Sequence, residues 1–377
     1  MGSPASGRSW PLVVFSHLRW DWVWQRPQHL ISRLARGRPT WFVEEPHSGH
    51  AAAPRLHLEE VGPTLTRVFL EVPGSAGRLN FGDERAAAYG GHLASLVEGL
   101  QEPVAWLYSP MALELAEALR PSLLVYDVMD DLAAFKDAPP AMKLRQHQTV
   151  AAADLIFTGG RSLHASIGSR RPDRVHLFPS GVEPQHYAAA RQHRTRRERP
   201  VAGYVGVVDE RLDLDLVADL ARALEEWEIW MVGPVTKLDP ASLPRLPNLV
   251  YVGKQPYHLL PRFMAALDVA LMPFTLDETT RSISPTKTLE YLAAGLPVVS
   301  TRVPDVVADY GDLVTLADDS IDFAAACREL ARTSYAPAPA GIEEVLSRQD
   351  WGGIASRMAA LVERALESGS PSALAGA

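Results

Sequence analysis

Ser284-Pro-Thr-Lys-Thr-Leu-Glu-Tyr-Leu-Ala-Ala-Gly-Leu-Pro-Val-Val-Ser-Thr301 carries the strongest signal in the chain. It opens as a polar loop, continues as a helix and ends as a buried strand. Pro285 suits the first helical position, where its missing N–H costs nothing. Most residues from Thr286 to Ala294 are good helix formers. Gly295 predicts a C-cap, Pro297 forbids continuation, and Val298 and Val299 begin a β run. The free N–H groups and dipole at such a helix start favour an anion. Lys287, in the first turn, works against that dipole unless an anion binds nearby, and Glu290 follows one turn later. One reading has Ser284, Thr286 and Lys287 holding a phosphate while Glu290 accepts sugar hydroxyls. The other is a capped surface helix with an incidental lysine.

Outward from this stretch, short apolar runs alternate with helical patterns. Strands are expected at 12–16, 41–43, 67–71, 104–108, 123–127, 155–158 and 175–178, and in a second series at 201–205, 228–232, 249–252, 269–273, 298–301 and 313–316. Amphipathic stretches at 27–36, 111–120, 214–223 and 261–266 lie between them. Strands alternating with helices imply parallel, doubly wound sheets. Two series imply two such domains, at 11–187 and 201–350, with a helix at 351–366 after them. Residues 188–200, rich in arginine and without apolar periodicity, read as an exposed linker. Its arginines suit either plain solvation or peripheral contact with anionic lipid headgroups.

The length of 377 residues fits two cores better than one. A hydrophobic fraction of 47% and a charged fraction of 22% are ordinary for a soluble globular protein. The net charge of −8 argues against general nucleic-acid binding. The single cysteine, Cys327, leaves no intramolecular disulfide and no cysteine metal cluster, in keeping with a reducing cytoplasm. No segment is long and apolar enough to span a bilayer, and residues 1–10 lack the apolar region of a signal peptide. These readings place the chain in the cytoplasm, or at the inner face of the cell membrane if the arginines meet lipid.

The loop, the helix bearing Lys287 and Glu290, and the run Glu-Tyr-x-Ala-x-Gly-x-Pro-Val-Val resemble the donor site of GT-B glycosyltransferases. The resemblance is to the large family 4, or group 1, which includes many bacterial cell-surface polysaccharide and lipid-linked sugar transferases. It implies two Rossmann-like domains facing a cleft, with a C-terminal helix crossing back to the first. It also implies that Glu290 binds the donor ribose and Lys287 the diphosphate. Glu290 matches the second Glu of the family's Glu-x7-Glu motif, but the first falls on Ser282, and Glu278 is out of register. Within the second domain, Gly206 ends the first strand and lets a phosphate approach the backbone. Arg211 matches the Arg of the family's diphosphate-binding pair, though without the Lys. Its alternative is a surface ion pair with Asp213 or Asp215. Lys254, in the loop expected beside the base, suits phosphate or solvent, and Arg281 in the loop before the helix is a diphosphate candidate.

In the first domain the loop after strand one carries His17, Arg19, Asp21 and Arg26 around Trp20, Trp22 and Trp24. Aromatic faces beside polar groups suit a sugar or lipid acceptor, or packing within the domain. Asp127, Asp130 and Asp131 cluster at another strand end, and acids there need a cleft or partners. Asp130 or Asp131 is expected either as the general base for an acceptor hydroxyl or as a helix N-cap, with His17 as the further candidate base.

The leading expectation is a glycosyltransferase that moves a sugar from a nucleotide diphosphate donor, uridine-linked, to a glycan or glycolipid acceptor in cell-surface polysaccharide synthesis. No cofactor or metal is expected, because Lys and Arg neutralise the leaving diphosphate. A sugar-nucleotide epimerase on the same fold, or a two-domain binding protein without catalysis, are the alternatives.

Overall fold

The computed structural model describes residues 10–74, 79–99, 103–136, 138–194, 197–283, 285–333 and 341–369. The chain divides into two compact units. One takes in the described residues of Met1–Gly159, Leu163–Phe178 and Gly352–Ala377, and the other Gly160–Ser162 and Pro179–Trp351.

The strands of unit one are β1 (Leu12–Ser16), β2 (Thr40–Glu44), β3 (His47–Gly49), β4 (Arg55–Gly62), β5 (Leu65–Pro73), β6 (Val104–Leu107), β7 (Leu123–Val128), β8 (Leu155–Thr158) and β9 (Val175–Leu177). They run β3-β5-β2-β1-β6-β7-β8-β9, and β4 adds to β5 as the antiparallel member. The run Leu-Val-Val-Phe-Ser of β1 is buried at every position, as a parallel strand covered on both faces requires. Val13, Phe15, Leu107, Tyr126 and Ile156 belong to the core around it. β2 lies on one side of β1 and β6 on the other, so the winding direction switches at β1.

β3 and β4 are absent from the sequence expectation, and the strand expected at 67–71 is the middle of the longer β5. The cause is exposure. β4 is an edge strand whose residues are mostly exposed, so it shows no apolar run. Edge strands are commonly charged, and this one contains Glu59 and Glu60.

Unit two holds β10 (Val201–Val205), β11 (Glu228–Val232), β12 (Leu249–Gly253), β13 (Val269–Met272), β14 (Val298–Ser300) and β15 (Thr315–Leu316). Their order is β12-β11-β10-β13-β14-β15, with every pairing parallel. Here the winding switches between β10 and β13. In open α/β sheets such a point opens a crevice at the carboxyl ends of the strands. The core gathers Ala202, Tyr204, Val217, Met231, Leu271, Tyr291 and Cys327. Burial pushes the Cys327 thiol up to about 12.

The stretch expected as an exposed linker is mostly exposed, and its arginines reach back onto the rest of unit two. Helix Pro184–Gln192 runs into it, and Ala190 is buried. Arg191 Nη2 donates to the Leu292 carbonyl at 3.3 Å, and Arg194 Nη1 to that of Gly295 at 3.1 Å. Arg197 stands over the Trp230 ring at 4.9 Å, and Arg199 donates to the carbonyls of Glu225, Glu226 and Trp227. Cations are favoured where helix C-terminal carbonyls are exposed, which gives these arginines an intramolecular role. Thr195 and Arg196 lie outside the described residues.

The helix Trp351–Glu367 follows, and from Gly352 onward it belongs to unit one, where Arg357 stands 6.0 Å from the Phe178 ring centre. Among the described residues, no helix is long and apolar enough to cross a membrane.

Candidate functional site

The helix Thr286–Ala294 follows β13 and begins at the carboxyl end of the sheet. Pro285 is its N-cap, with φ −68° and ψ 116°, and not its first helical residue as expected. The extended ψ places the start of the helix at Thr286. At the other end Gly295 takes φ +74°, where an L side chain is strained. Gly295 N donates to the Leu292 carbonyl at 3.0 Å and Leu296 N to that of Tyr291 at 2.9 Å. This double bond pattern is a Schellman cap. From Thr288 to Ala294 the helix is buried on every side, so the surface-helix reading does not hold. Val205 N of β10 donates to Tyr291 Oη at 2.8 Å, and Thr288 Oγ1 contacts Met272 Sδ of β13 at 3.3 Å. The helix is thereby fixed to both strands of the switch point.

Lys287 Nζ donates to Glu290 Oε2 at 2.9 Å, and the two side chains are 19% and 7% exposed. The lysine stem crosses directly over Gly206. A Cβ there would stand 2.8 Å from Lys287 Cε and 2.7 Å from Tyr204 Oη. Gly206 also meets Gly233, whose φ is +150°, and a Cβ on Gly233 would fall 1.8 Å from the Gly206 carbonyl oxygen. Two loops thus touch through backbone alone beneath the lysine. Arg211 belongs to the same loop and forks onto Asp209, with Nη2–Oδ2 at 2.7 Å and Nε–Oδ1 at 3.0 Å. Its partner is neither Asp213 nor Asp215. Asp213 instead caps helix Leu214–Ala223 by accepting from Leu216 N at 2.8 Å. Lys237 pairs with Glu210 at 3.1 Å. Burial raises the pKa of the Tyr204 phenol, and the Asp209 charge and, more weakly, that of Glu290 add to the rise.

Of the other expected donor residues, Thr286 is half-buried in the first turn, while Lys254 and Arg281 are exposed. Ser284 lies outside the described residues. The structure therefore brings Gly206, Lys287 and Glu290 together, with Arg211 in the same loop as Gly206.

Sequence reasoning missed the polar and aromatic group associated with Glu290. Tyr257 Oη donates to Glu183 Oε2 at 2.6 Å, and the Tyr257 carbonyl lies 3.2 Å from His186 Nε2. The His186 ring stacks on Tyr257 with centroids 4.3 Å apart, and Tyr187 meets both rings edge-on. The run Glu183-Pro-Gln-His-Tyr187 was the available signal, because polar aromatics that recur beside a helix N-terminus need partners.

In unit one, Asp127 is fully buried and paired with Arg26, which is 1% exposed. Arg26 Nε and Nη2 each stand 2.9 Å from Asp127 Oδ1, and Nη1 donates to the Phe178 carbonyl at 2.8 Å. Asp130 and Asp131 are half-buried just past β7. Asp131 occupies the N-cap position of the short turn Leu132–Ala134, yet its side chain makes no capping bond. His17 is half-buried just past β1, two strands from β7 in the sheet, or roughly 10 Å at ordinary strand spacing.

The tryptophan loop is fastened to its own domain. Trp20 N donates to Glu44 Oε1 at 2.7 Å, and Gln28 Nε2 to the Arg19 carbonyl at 3.0 Å. Trp20 packs edge-on against Phe42, while Trp22 and Trp24 remain 40% and 36% exposed. Burial alone would raise the pKa of Glu44, but donors from His47, Arg67 and Trp20 hold it below the usual range. Among the described residues, no group of His, Cys, Asp and Glu is placed to hold a metal ion.

Residues 199–333 match the family model described as Glycosyl transferases group 1. Over 207 residues the chain is 28% identical to the teichuronic acid biosynthesis glycosyltransferase TuaH of Bacillus subtilis (strain 168), a match covering 50% of this chain and 51% of that protein. Thus about half the length of this curated relative is spanned. Among solved structures, sucrose-phosphate synthase from Thermosynechococcus elongatus has a TM-score of 0.71 at 15% identity, over 96% of this chain and 100% of that one. HepE of Anabaena, solved with UDP and glucose, has a TM-score of 0.64 at 13% identity over 93% of this chain and 98% of that one. WaaG, a glycosyltransferase of lipopolysaccharide biosynthesis, has 0.63 at 14% identity over 93% and 99%. At these identities the solved structures establish the fold. It is the two-unit α/β architecture that the resemblance to GT-B glycosyltransferases implies.

Proposed function

We propose, for a chain that carries a glycosyl transferases group 1 domain over residues 199–333, that the protein transfers a sugar from a UDP-sugar to a glycan or glycolipid acceptor in cell-surface polysaccharide synthesis. The observation that carries this reading is the Lys287 stem crossing Gly206 at the β10/β13 switch point, with Glu290 buried one turn away. A diphosphate at that place meets the helix N-terminus, the close backbone approach allowed by Gly206 and Gly233, and the Lys287 ammonium. Glu290 then accepts the ribose hydroxyls. Arg211 and Lys237, each already paired with an acid, offer further positive charge to the leaving group. In this reading side-chain cations neutralise the diphosphate, and the nucleotide sugar is a substrate. Asp130, Asp131 and His17, at the carboxyl ends of β7 and β1, are the candidates for deprotonating the acceptor hydroxyl.

The UDP bound by HepE and the cell-surface glycan pathways named for TuaH and WaaG support the choice of donor and product class. The test is calorimetry with UDP on the wild type and on Lys287→Ala, followed by turnover assays with UDP-sugars. A charge-assisted phosphate contact is worth about 1.5–3 kcal/mol, so the variant should bind UDP about tenfold or more weakly. Sugar release should depend on an added acceptor. UDP affinity equal in both proteins would overturn the site. Acceptor-independent conversion of the nucleotide sugar would overturn the reaction.

A further inference from the structure

Arg67 of β5 gathers three carboxylates. It forks onto Glu44 of β2, with Nε–Oε1 at 2.7 Å and Nη2–Oε2 at 3.0 Å, and this inner pair is buried. Its remaining nitrogen, Nη1, donates to Asp21 Oδ2 at 3.2 Å and to Glu59 Oε2 at 3.0 Å. Asp21 comes from the tryptophan loop, and Glu59 stands opposite Arg67 in the pairing of β4 with β5. The side chains of these two acids are 62% and 48% exposed. The guanidinium charge is matched by Glu44 alone. Asp21 and Glu59 therefore leave the rim anionic, even with Arg19, the exposed cation of the same loop, counted in.

Exposed ion pairs of this kind add little to stability. What they do here is fix position. Both acids are held on one nitrogen of an arginine that is itself locked, so their acceptor oxygens are set in advance. Aromatic surface lies beside them. Trp20 N donates to Glu44 Oε1 at 2.7 Å, which fastens the loop to the same cluster. Trp20 packs on Phe42 and stands 6.1 Å from Trp24 between ring centres. Trp22 follows Asp21 directly, and Trp22 and Trp24 are 40% and 36% exposed. A rigid indole offers a large contact area at small entropic cost. Partly open indoles next to fixed carboxylates suit a ligand with an apolar face and hydroxyls at its edge, which describes a pyranose ring. They do not suit a phosphate, which the rim repels.

We infer that Asp21, Glu59, Trp22 and Trp24 form a sugar subsite in unit one, which holds the neutral sugar end of the acceptor and excludes an anionic lipid headgroup from that place. Calling that sugar the acceptor rests on the transfer reaction proposed above, whereas its binding does not. His17, a candidate base, belongs to the same loop.

The experiment titrates wild type, Asp21→Asn, Trp22→Ala, Trp24→Ala and Trp24→Phe with cellobiose and with chitobiose by ligand-detected NMR. It repeats the series with phosphatidylcholine vesicles that contain or lack phosphatidylglycerol, and measures the UDP affinity of each protein. At least one disaccharide should bind the wild type saturably. Trp22→Ala and Trp24→Ala should weaken it about three- to tenfold and Asp21→Asn about tenfold, the losses expected for one aromatic contact and for one hydrogen bond to a charged group. Trp24→Phe keeps a ring and should lose less than Trp24→Ala. It also serves if Trp24→Ala, which gives up packing on Trp20 and His29, fails to fold. Every folded variant should keep wild-type UDP affinity and ignore the vesicles. Absence of saturable disaccharide binding, or binding that Trp22→Ala and Asp21→Asn leave unchanged, would overturn the subsite. So would variants that lose UDP and disaccharide equally, and so would association with the anionic vesicles that Trp22→Ala abolishes, which would assign the loop to a lipid surface. Disaccharide binding by a wild type that fails to bind UDP would overturn the donor site and leave this subsite standing.

Discussion

Replacing Gly206 with alanine tests the site through a single methyl group. The new Cβ would lie 2.8 Å from Lys287 Cε, 2.7 Å from Tyr204 Oη and 2.8 Å from Tyr204 Cζ. Carbon atoms in contact prefer about 3.5–4.0 Å, so each neighbour must retreat by roughly 1 Å. The two differ in how they can yield. Lys287 is a flexible stem and is pushed out of its place over Gly206. Tyr204 is 3% exposed, its hydroxyl donates to the Val207 carbonyl at 3.1 Å, and its ring meets Phe274 edge-on. Overpacking of that kind costs about 1–3 kcal/mol. In a domain of this size that is roughly 2–12 °C in Tm. Displacing Lys287 also forfeits a charge-assisted contact to the diphosphate, about tenfold or more in UDP affinity. Calorimetry beside thermal melting reads both effects. Gly233→Ala makes the contrast, since its Cβ would strike the Gly206 carbonyl at 1.8 Å from a φ of +150°, and neither group is a side chain that can turn away. That variant should fail to fold. Wild-type UDP affinity in Gly206→Ala would refute the placement of Lys287, and a soluble, wild-type-like Gly233→Ala would refute the contact between the loops.

Two further outcomes are expected. Asp127→Ala strands the buried Arg26 guanidinium and should destabilise unit one by about 3–5 kcal/mol, read as a fall in the denaturant midpoint; an unchanged midpoint would show that the pair is solvated. Asp130→Asn and Asp131→Asn, tested singly, should divide into one variant with turnover lowered about 10²–10⁴-fold at normal UDP affinity and one near wild type, and near-normal turnover in both would move the search for the base to His17.

The 286–294 helix was legible because its signals are local. Gly295, Pro297 and the valines after them act within one turn of their own positions, and the observed bounds differ from the reading only at Pro285. The strands of unit two were legible for a related reason, since a parallel strand covered on both faces must be apolar throughout. What escaped was set at long range. Arg26 and Asp127 are 101 residues apart, as are Arg191 and Leu292, and neither member announces its partner. The basic run at 188–200 read as exposed, which most of it is, but the carbonyls that its arginines reach were not legible. Arg211 was a different case. Its partner Asp209 lies two residues back in the sequence, whereas the reading looked forward to Asp213 and Asp215, and Asp213 is taken up by the cap of the next helix. β4 escaped because an exposed edge leaves no hydrophobic pattern to read.

The helix Thr286–Ala294 divides its tasks along its length. Its second half holds it in place, through Tyr291 on Val205 and the Schellman cap at Gly295. Its first turn, with Thr286 and Lys287, is the end assigned to the donor in the proposed site and contributes little to that anchorage. Substitutions in the first turn can therefore alter what is bound while the domain still folds, whereas substitutions in the second half are removed by instability before any new ligand is tried. Change in donor preference among proteins built this way should accumulate at one end of a helix whose other end stays constant.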